Sequence, residues 1–192
     1  MKENLIYDVG MNNGDDTAFY ISRGFQVIAI EANPFLVEQA SRRFERQIAA
    51  ADLTILNVGV SDHEGTFPFL ICDTNPEWST FDLSAVRDKS VEYRQIPVSC
   101  LRFRSILEVF GTPHYLKLDI EGKEICCLRD LFPSYLPCYV SFEKTELWTL
   151  ESLTLLHSLG FNGFKLISQH HYLPVEYPQG REHKRCERLQ KV

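Results

Sequence analysis

Short apolar runs alternate along the chain with longer stretches in which apolar residues recur every three or four positions. Runs of the first kind read as strands and the periodic stretches as helices. Residues 5–9 form a first strand, 16–23 a short helix stopped at Gly24, and 27–30 a second strand. Asn33 and Pro34 then supply a helix cap and a first-turn proline. The helix after them places Val37, Ala40, Phe44 and Ile48 on one face, and a third strand covers 53–58. Two β-like runs, 66–71 and 94–99, flank a polar stretch at 72–93. They either pair as a hairpin or flank an excursion over the sheet edge. A helix at 101–110 ends at Gly111. Alternation resumes with a strand at 115–120, a helix at 123–132, a strand at 139–143, a helix at 147–159 and a strand at 164–168.

Strand–helix–strand repetition implies right-handed crossovers and a parallel sheet. The expected fold class is therefore α/β, a doubly wound and mostly parallel sheet. The expected organisation is one domain over 1–192, with a lid or hairpin excursion at 66–99 and a polar tail from 169. No internal repeat or linker interrupts it. Residues 172–177 are a candidate for a last antiparallel strand, against which Pro174 argues.

The chain has 192 residues, 44% apolar and 24% charged, with a formal net charge of −6. That length suits one domain with a sizeable core. The balance excludes disordered, collagenous and membrane-spanning classes. An acidic chain does not favour a broad grip on phosphate backbones, so no nucleic-acid partner is expected. The N-terminal apolar run is too short for a signal peptide, and no stretch of about 20 apolar residues occurs, which points to the cytoplasm. None of the six cysteines forms a C-x-x-C pair, so neither a zinc ribbon nor a thioredoxin motif is expected. Cys126 and Cys127 read as small core residues.

Candidate chemistry begins at the turn after the first strand, Asp8-Val9-Gly10-Met11-Asn12-Asn13-Gly14-Asp15-Asp16-Thr17. Glycines let the backbone approach a ligand, and a helix N-terminus offers free N–H groups. Glu31 ends the second strand about 20 residues later, where an acid accepts ribose hydroxyls in nucleotide-binding α/β folds. Asn12 and Asp15 stand where the second and third glycines of a dinucleotide fingerprint belong. Asp15 and Asp16 would also repel a pyrophosphate. S-adenosylmethionine carries no phosphate but has a sulfonium and an ammonium, so an acid-rich turn suits it better. As helix caps alone, these two acids would not account for Asp8, Gly10, Asn12, Gly14 and Glu31 together.

Further along, Lys117, Asp119 and Glu121 alternate with apolar residues and share one side of a strand or its mouth. Such charges are costly in a buried parallel strand unless paired or functional. Asp119 or Glu121 is a candidate base, with Lys117 as charge partner or orienter. A lysine–carboxylate pair that merely holds the loop is the competing reading. Glu143 should face the same mouth and bind substrate or brace a loop. It could share Mg²⁺ with Asp119, but two acids are few for such a site and no metal is assigned. Trp78, in the polar excursion, suggests a lid or substrate wall. The adjacent His170 and His171 read as an exposed loop feature.

Four stretches, DVGMNNGDDT (8–17), VIAIEANP (27–34), LNVGVSDHEGTFPF (56–69) and YLKLDIEGKE (115–124), resemble the FkbM family of S-adenosylmethionine-dependent methyltransferases. The likeness runs from about Leu5 to Ser168. It implies a Rossmann-like class I methyltransferase fold and O-methylation, often of sugar or polyketide-type hydroxyls. Carried over by position, it implies that Asp8, Gly10, Asn12, Gly14 and Thr17 form the cofactor turn. It assigns the ribose to Glu31, with Asn33 in the adjoining loop, and the adenine edge to the loop of Gly59, Val60, Ser61 and Asp62. Asp119 falls beside the methionine moiety, and Ser79 and Thr80 fall where the family has small hydroxyl residues near the ligand. The resemblance implies a small-molecule or glycan acceptor. A nucleic-acid methyltransferase is the alternative, although Asp119-Ile120-Glu121-Gly122 replaces the usual base-methylating turn. A non-catalytic cofactor-binding module is another alternative.

Overall fold

In chain order the elements are β1 (Lys2–Val9), α1 (Asp15–Ser22), β2 (Gln26–Ile30), α2 (Pro34–Arg43), α3 (Glu45–Ala49), β3 (Leu53–Leu56), β4 (Gly59–Val60), β5 (Gly65–Cys72), β6 (Tyr93–Leu101), α4 (Phe103–Phe110), β7 (Pro113–Leu118), α5 (Glu124–Arg129), β8 (Tyr139–Phe142), α6 (Thr149–Ser158), β9 (Ile167–Ser168) and β10 (Leu173–Pro174). They belong to a computed structural model that describes residues 2–82, 91–120, 122–144, 148–168 and 173–174.

Five strands form a parallel sheet in the order β3-β2-β1-β7-β8. The central strand β1 explains its own sequence. Ile6, Tyr7, Asp8 and Val9 are all fully buried, as expected for a strand covered on both faces. Tyr7, Val9, Ile30, Leu116, Leu118 and Val140 point to one face and pack on α4 through Phe103, Ile106 and Leu107, on α5 through Cys127 and Leu128, and on α6 through Leu156. Tyr7 is tolerated there because its hydroxyl donates to the Gly111 carbonyl at 2.6 Å. Val27, Ala29 and Leu53 point to the other face, against Met11, Ala40 and Phe44 beneath α1, α2 and α3. This is the doubly wound α/β architecture expected from the pattern, with the chain reversing direction between β1 and β7.

The two middle β-like runs do pair. β5 and β6 are antiparallel from Gly65 opposite Cys100 to Cys72 opposite Tyr93, and β4 adds to β6 in parallel. The excursion between them is described as far as residue 82. Elsewhere the pattern misplaced boundaries. The helix expected to run through Ile48 breaks at Phe44, whose φ of −108° and ψ of 22° leave the helical range. Ala40 and Phe44 are buried, whereas the break turns Ile48 outward. Leu101 ends β6 instead of opening α4. The helix starts two residues later, where buried Asp130 accepts the Arg104 N–H at 3.1 Å and pairs with Arg102. Of the residues expected in a last antiparallel strand, Leu173 and Pro174 are described: as β10 they pair with β9 in a two-stranded sheet separate from the main one. The others lie outside the described residues. No described helix is long and apolar enough to cross a membrane.

Candidate active site

The carboxyl ends of β1, β2, β7 and β8, with the segment after β3, surround a cavity of about 600 Å³. Its floor is the turn after β1. Gly10 and Met11 both donate to the Ile30 carbonyl, at 2.9 and 3.1 Å. Gly10 has a φ of +85°, and a Cβ there would lie 1.8 Å from the Asp119 carbonyl oxygen. Only glycine lets β1 and the end of β7 approach this closely.

Glu31 follows β2 into the cavity wall. Its two carboxylate oxygens accept the backbone N–H groups of Asn12 (2.9 Å) and Asn33 (2.8 Å), which fixes the head group. Burial pushes its carboxyl above the usual glutamate range, an effect those two N–H groups partly offset. Asn33 is buried as the cap of α2 and accepts from the Phe35 N–H. Asp8 is buried beneath the floor. It accepts from the Thr17 hydroxyl at 2.6 Å and from Lys117 Nζ at 3.0 Å.

Lys117 is the hub of the polar end. Its ammonium lies 3.0 Å from Asp8, 3.2 Å from Asp16 and 3.7 Å from Asp119, and donates to the Gly10 carbonyl at 3.2 Å. Burial works against its charge, but Asp8, Asp119 and Asp16 together outweigh it and hold its pKa above that of an ordinary lysine. Lys117 therefore stays protonated and serves as an organiser of carboxylates, not as a base. The two neighbouring acids of α1 diverge. Asp15 turns away to pair with Arg43 at 2.8 Å, while Asp16 joins the cavity lining. Beside them Tyr20, Tyr115 and Ser141 extend the lining down the sheet face, with a 2.6 Å hydrogen bond between the Tyr115 and Ser141 hydroxyls.

Of the residues singled out from the sequence, Gly10, Asn12, Glu31, Val60, Ser79, Thr80, Lys117, Asp119 and Glu143 line this one cavity. Asp8, Gly14, Thr17 and Asn33 are not in the lining. Asp8, Thr17 and Asn33 support it from behind, and Gly14 packs toward Phe44. Ser61 and Trp78 are also outside the lining, and Glu121 lies outside the described residues. Ser79 and Thr80 are engaged within their own loop, where their hydroxyl oxygens accept from the Cys72 and Asp82 N–H groups. The sequence reading missed Tyr20, Tyr115, Ser141 and Phe69. Tyr115 shares strand parity with Lys117, so the i, i+2 rule could have found it. Ser141 becomes its neighbour only through the β7–β8 register. Among the described residues no group of three or more His, Cys, Asp or Glu side chains is placed to share a metal ion.

The donor set fits a cationic nucleoside better than a dinucleotide. Acids ring the polar end, and Asp16 stands at the helix N-terminus where a pyrophosphate would lie. Among curated proteins none matches the chain. A solved structure of methyltransferase FkbM from Methylobacillus flagellatus KT aligns at 16% identity and a TM-score of 0.44. The alignment covers 67% of this chain and 28% of that one. The methyltransferase FkbM domain matches residues 8–163, from the buried aspartate of β1 to beyond α6, and the chain belongs to that family.

Proposed function

We propose that this chain is an S-adenosylmethionine-dependent methyltransferase acting on a hydroxyl of a small molecule or sugar. The observation that carries the reading is a single cavity holding a buried, doubly anchored Glu31 and an acid-rich polar end built on protonated Lys117. Glu31 is fixed to accept two ribose hydroxyls. Its charge is costly to bury and is recovered when donors reach it. Gly10, Asp16 and Asp119 present oxygen acceptors to a cation. S-adenosylmethionine, when bound, supplies an electrophilic methyl carbon on a positively charged sulfur.

The acceptor then approaches over Asp119, Ser141 and Glu143. Asp119 Oδ2 lies 3.7 Å from Lys117 Nζ, so the carboxylate is held at the mouth of β7 without being neutralised by a short bond. Asp119 would take the proton of the acceptor hydroxyl as that oxygen becomes the nucleophile. Lys117 positions that carboxylate. Ser141, hydrogen-bonded to Tyr115, orients a second polar group of the acceptor.

Transfer of isotopically labelled methyl from S-adenosylmethionine to a panel of glycosides and phenols tests the reading. The wild type should label at least one hydroxyl acceptor, and Asp119→Asn should lower kcat by about a hundredfold or more. Cofactor binding without labelling of any acceptor would favour a non-catalytic module. Unchanged turnover in Asp119→Asn would remove it as the base.

A further inference from the structure

The cavity has two chemically different ends. The polar end lies at β1, β7 and β8. Past Glu31, toward β3, the lining becomes apolar, through Ala32, Leu36, Val58, Val60, Phe69 and Phe81. Phe81 does not come from the doubly wound core. It belongs to the excursion between β5 and β6 that the sequence suggested as a lid or acceptor wall.

That segment is fixed by several independent contacts. Leu70 and Thr80 exchange both backbone hydrogen bonds, at 2.9 Å each. The Ser79 hydroxyl accepts from the Cys72 N–H at 3.2 Å, and Thr80 is buried. The Phe81 ring then packs on Phe69 with centroids 4.6 Å apart. Its Cζ and Cε2 edge also comes up against the backbone of Gly59, where a Cβ would lie 2.5 Å from Cζ. Gly59 has no left-handed backbone to accommodate. Its lack of a side chain leaves room for the ring and for the sulfur of Cys100, which a Cβ would meet at 2.6 Å. A glycine after β3 and an anchored loop beyond β5 thus hold one aromatic ring at the apolar end of the cavity.

We infer that Phe81 recognises the nucleobase, so that the excursion belongs to the cofactor and not to the acceptor. The inference rests on the S-adenosylmethionine reading. A nucleoside whose ribose is held at Glu31 and whose cationic end lies at Lys117 and Asp119 must place its flat base toward β3. There Phe81 offers an aromatic ring, beside the apolar side chains of Val58, Val60 and Leu36. Base–aromatic contacts of this kind tolerate any base but are lost with the ring.

Adenosine isolates the base and ribose from the cationic end and is the probe of choice. By calorimetry, Phe81→Ala should weaken adenosine, S-adenosylhomocysteine and S-adenosylmethionine by a common factor of about tenfold. Phe81→Tyr should stay within about threefold of wild type, because the ring face is kept. Saturation-transfer NMR on the wild-type protein needs no variant to fold. Irradiating protein aromatic protons should mark the adenine protons of adenosine more strongly than its ribose protons. Adenosine affinity within twofold of wild type in Phe81→Ala, or stronger saturation at the ribose, would overturn the inference while leaving the cofactor reading intact. If the wild type bound none of the three ligands, the cofactor reading would fail first.

Discussion

At the scale of single residues, the site is defined by ionisable groups in buried places. Glu31 shows the cost of burying a charge most clearly, because its folded carboxyl keeps a proton to higher pH than the unfolded one. In the free protein this contributes stability that is full below the ordinary glutamate range and lost as the pH rises through the raised value. A ligand that donates two hydroxyls needs the carboxylate form, so the linkage runs the other way for binding. S-adenosylmethionine affinity of the wild type should fall as the pH is lowered through the raised Glu31 value, with protons released on binding there. Glu31→Gln should bind weakly throughout and lose the pH dependence, as calorimetry at several pH values would reveal. Lys117→Met should cost about 3 kcal/mol in denaturant unfolding, since it strands the buried Asp8 carboxylate. An effect below about 1 kcal/mol would mean that the pair is not structural. Both residues were legible in the sequence, because a charge inside an apolar strand run needs a reason. Their partners were not. Nothing local says that Asp16 faces the cavity while Asp15 faces Arg43, since both sit on the first turn of the same helix.

Among the elements, the strands were readable because burial on both faces forces a continuous apolar run, as in Ile6–Val9 of β1. Helix ends were less so, because they are decided by partners distant in sequence. The start of α4 depends on Asp130, which accepts from Arg104 N–H and pairs with Arg102 from 26 and 28 residues away. Asp130→Ala should lower stability by about 2 kcal/mol while leaving cofactor affinity unchanged. Thermal unfolding and calorimetry on the same variant separate the two effects. Weakened cofactor binding would show that α4 helps to set the cleft. The excursion was the least legible element. Ser79 and Thr80, expected near the ligand, line the cavity while their hydroxyl oxygens also fasten the loop, and Trp78 is not in the lining. Phe81, which does reach the cavity, looked like any loop aromatic until its packing on Gly59 and Phe69 was in place.

The whole molecule is an acidic α/β chain in which the carboxylates that line the cavity are gathered at one edge of its sheet. The net charge of −6 alone says little, but three acids around one lysine at the mouth of the cavity give it a direction. The topology does the gathering. Because β1, β2 and β7 are parallel neighbours, residues far apart in sequence, Gly10, Glu31 and Asp119, end at the same edge. The parallel, doubly wound sheet was foreseeable from the alternation of elements, whereas the side-chain neighbours across β7 and β8 required the register. The central claim is that this edge holds a cationic nucleoside and not a dinucleotide. Isothermal titration of the wild-type protein with S-adenosylmethionine, and separately with NADH, tests it most directly. One site with micromolar affinity for S-adenosylmethionine, abolished in Glu31→Ala, and no measurable heat with NADH is the predicted result. Binding of NADH, or S-adenosylmethionine binding indifferent to Glu31→Ala, would contradict it.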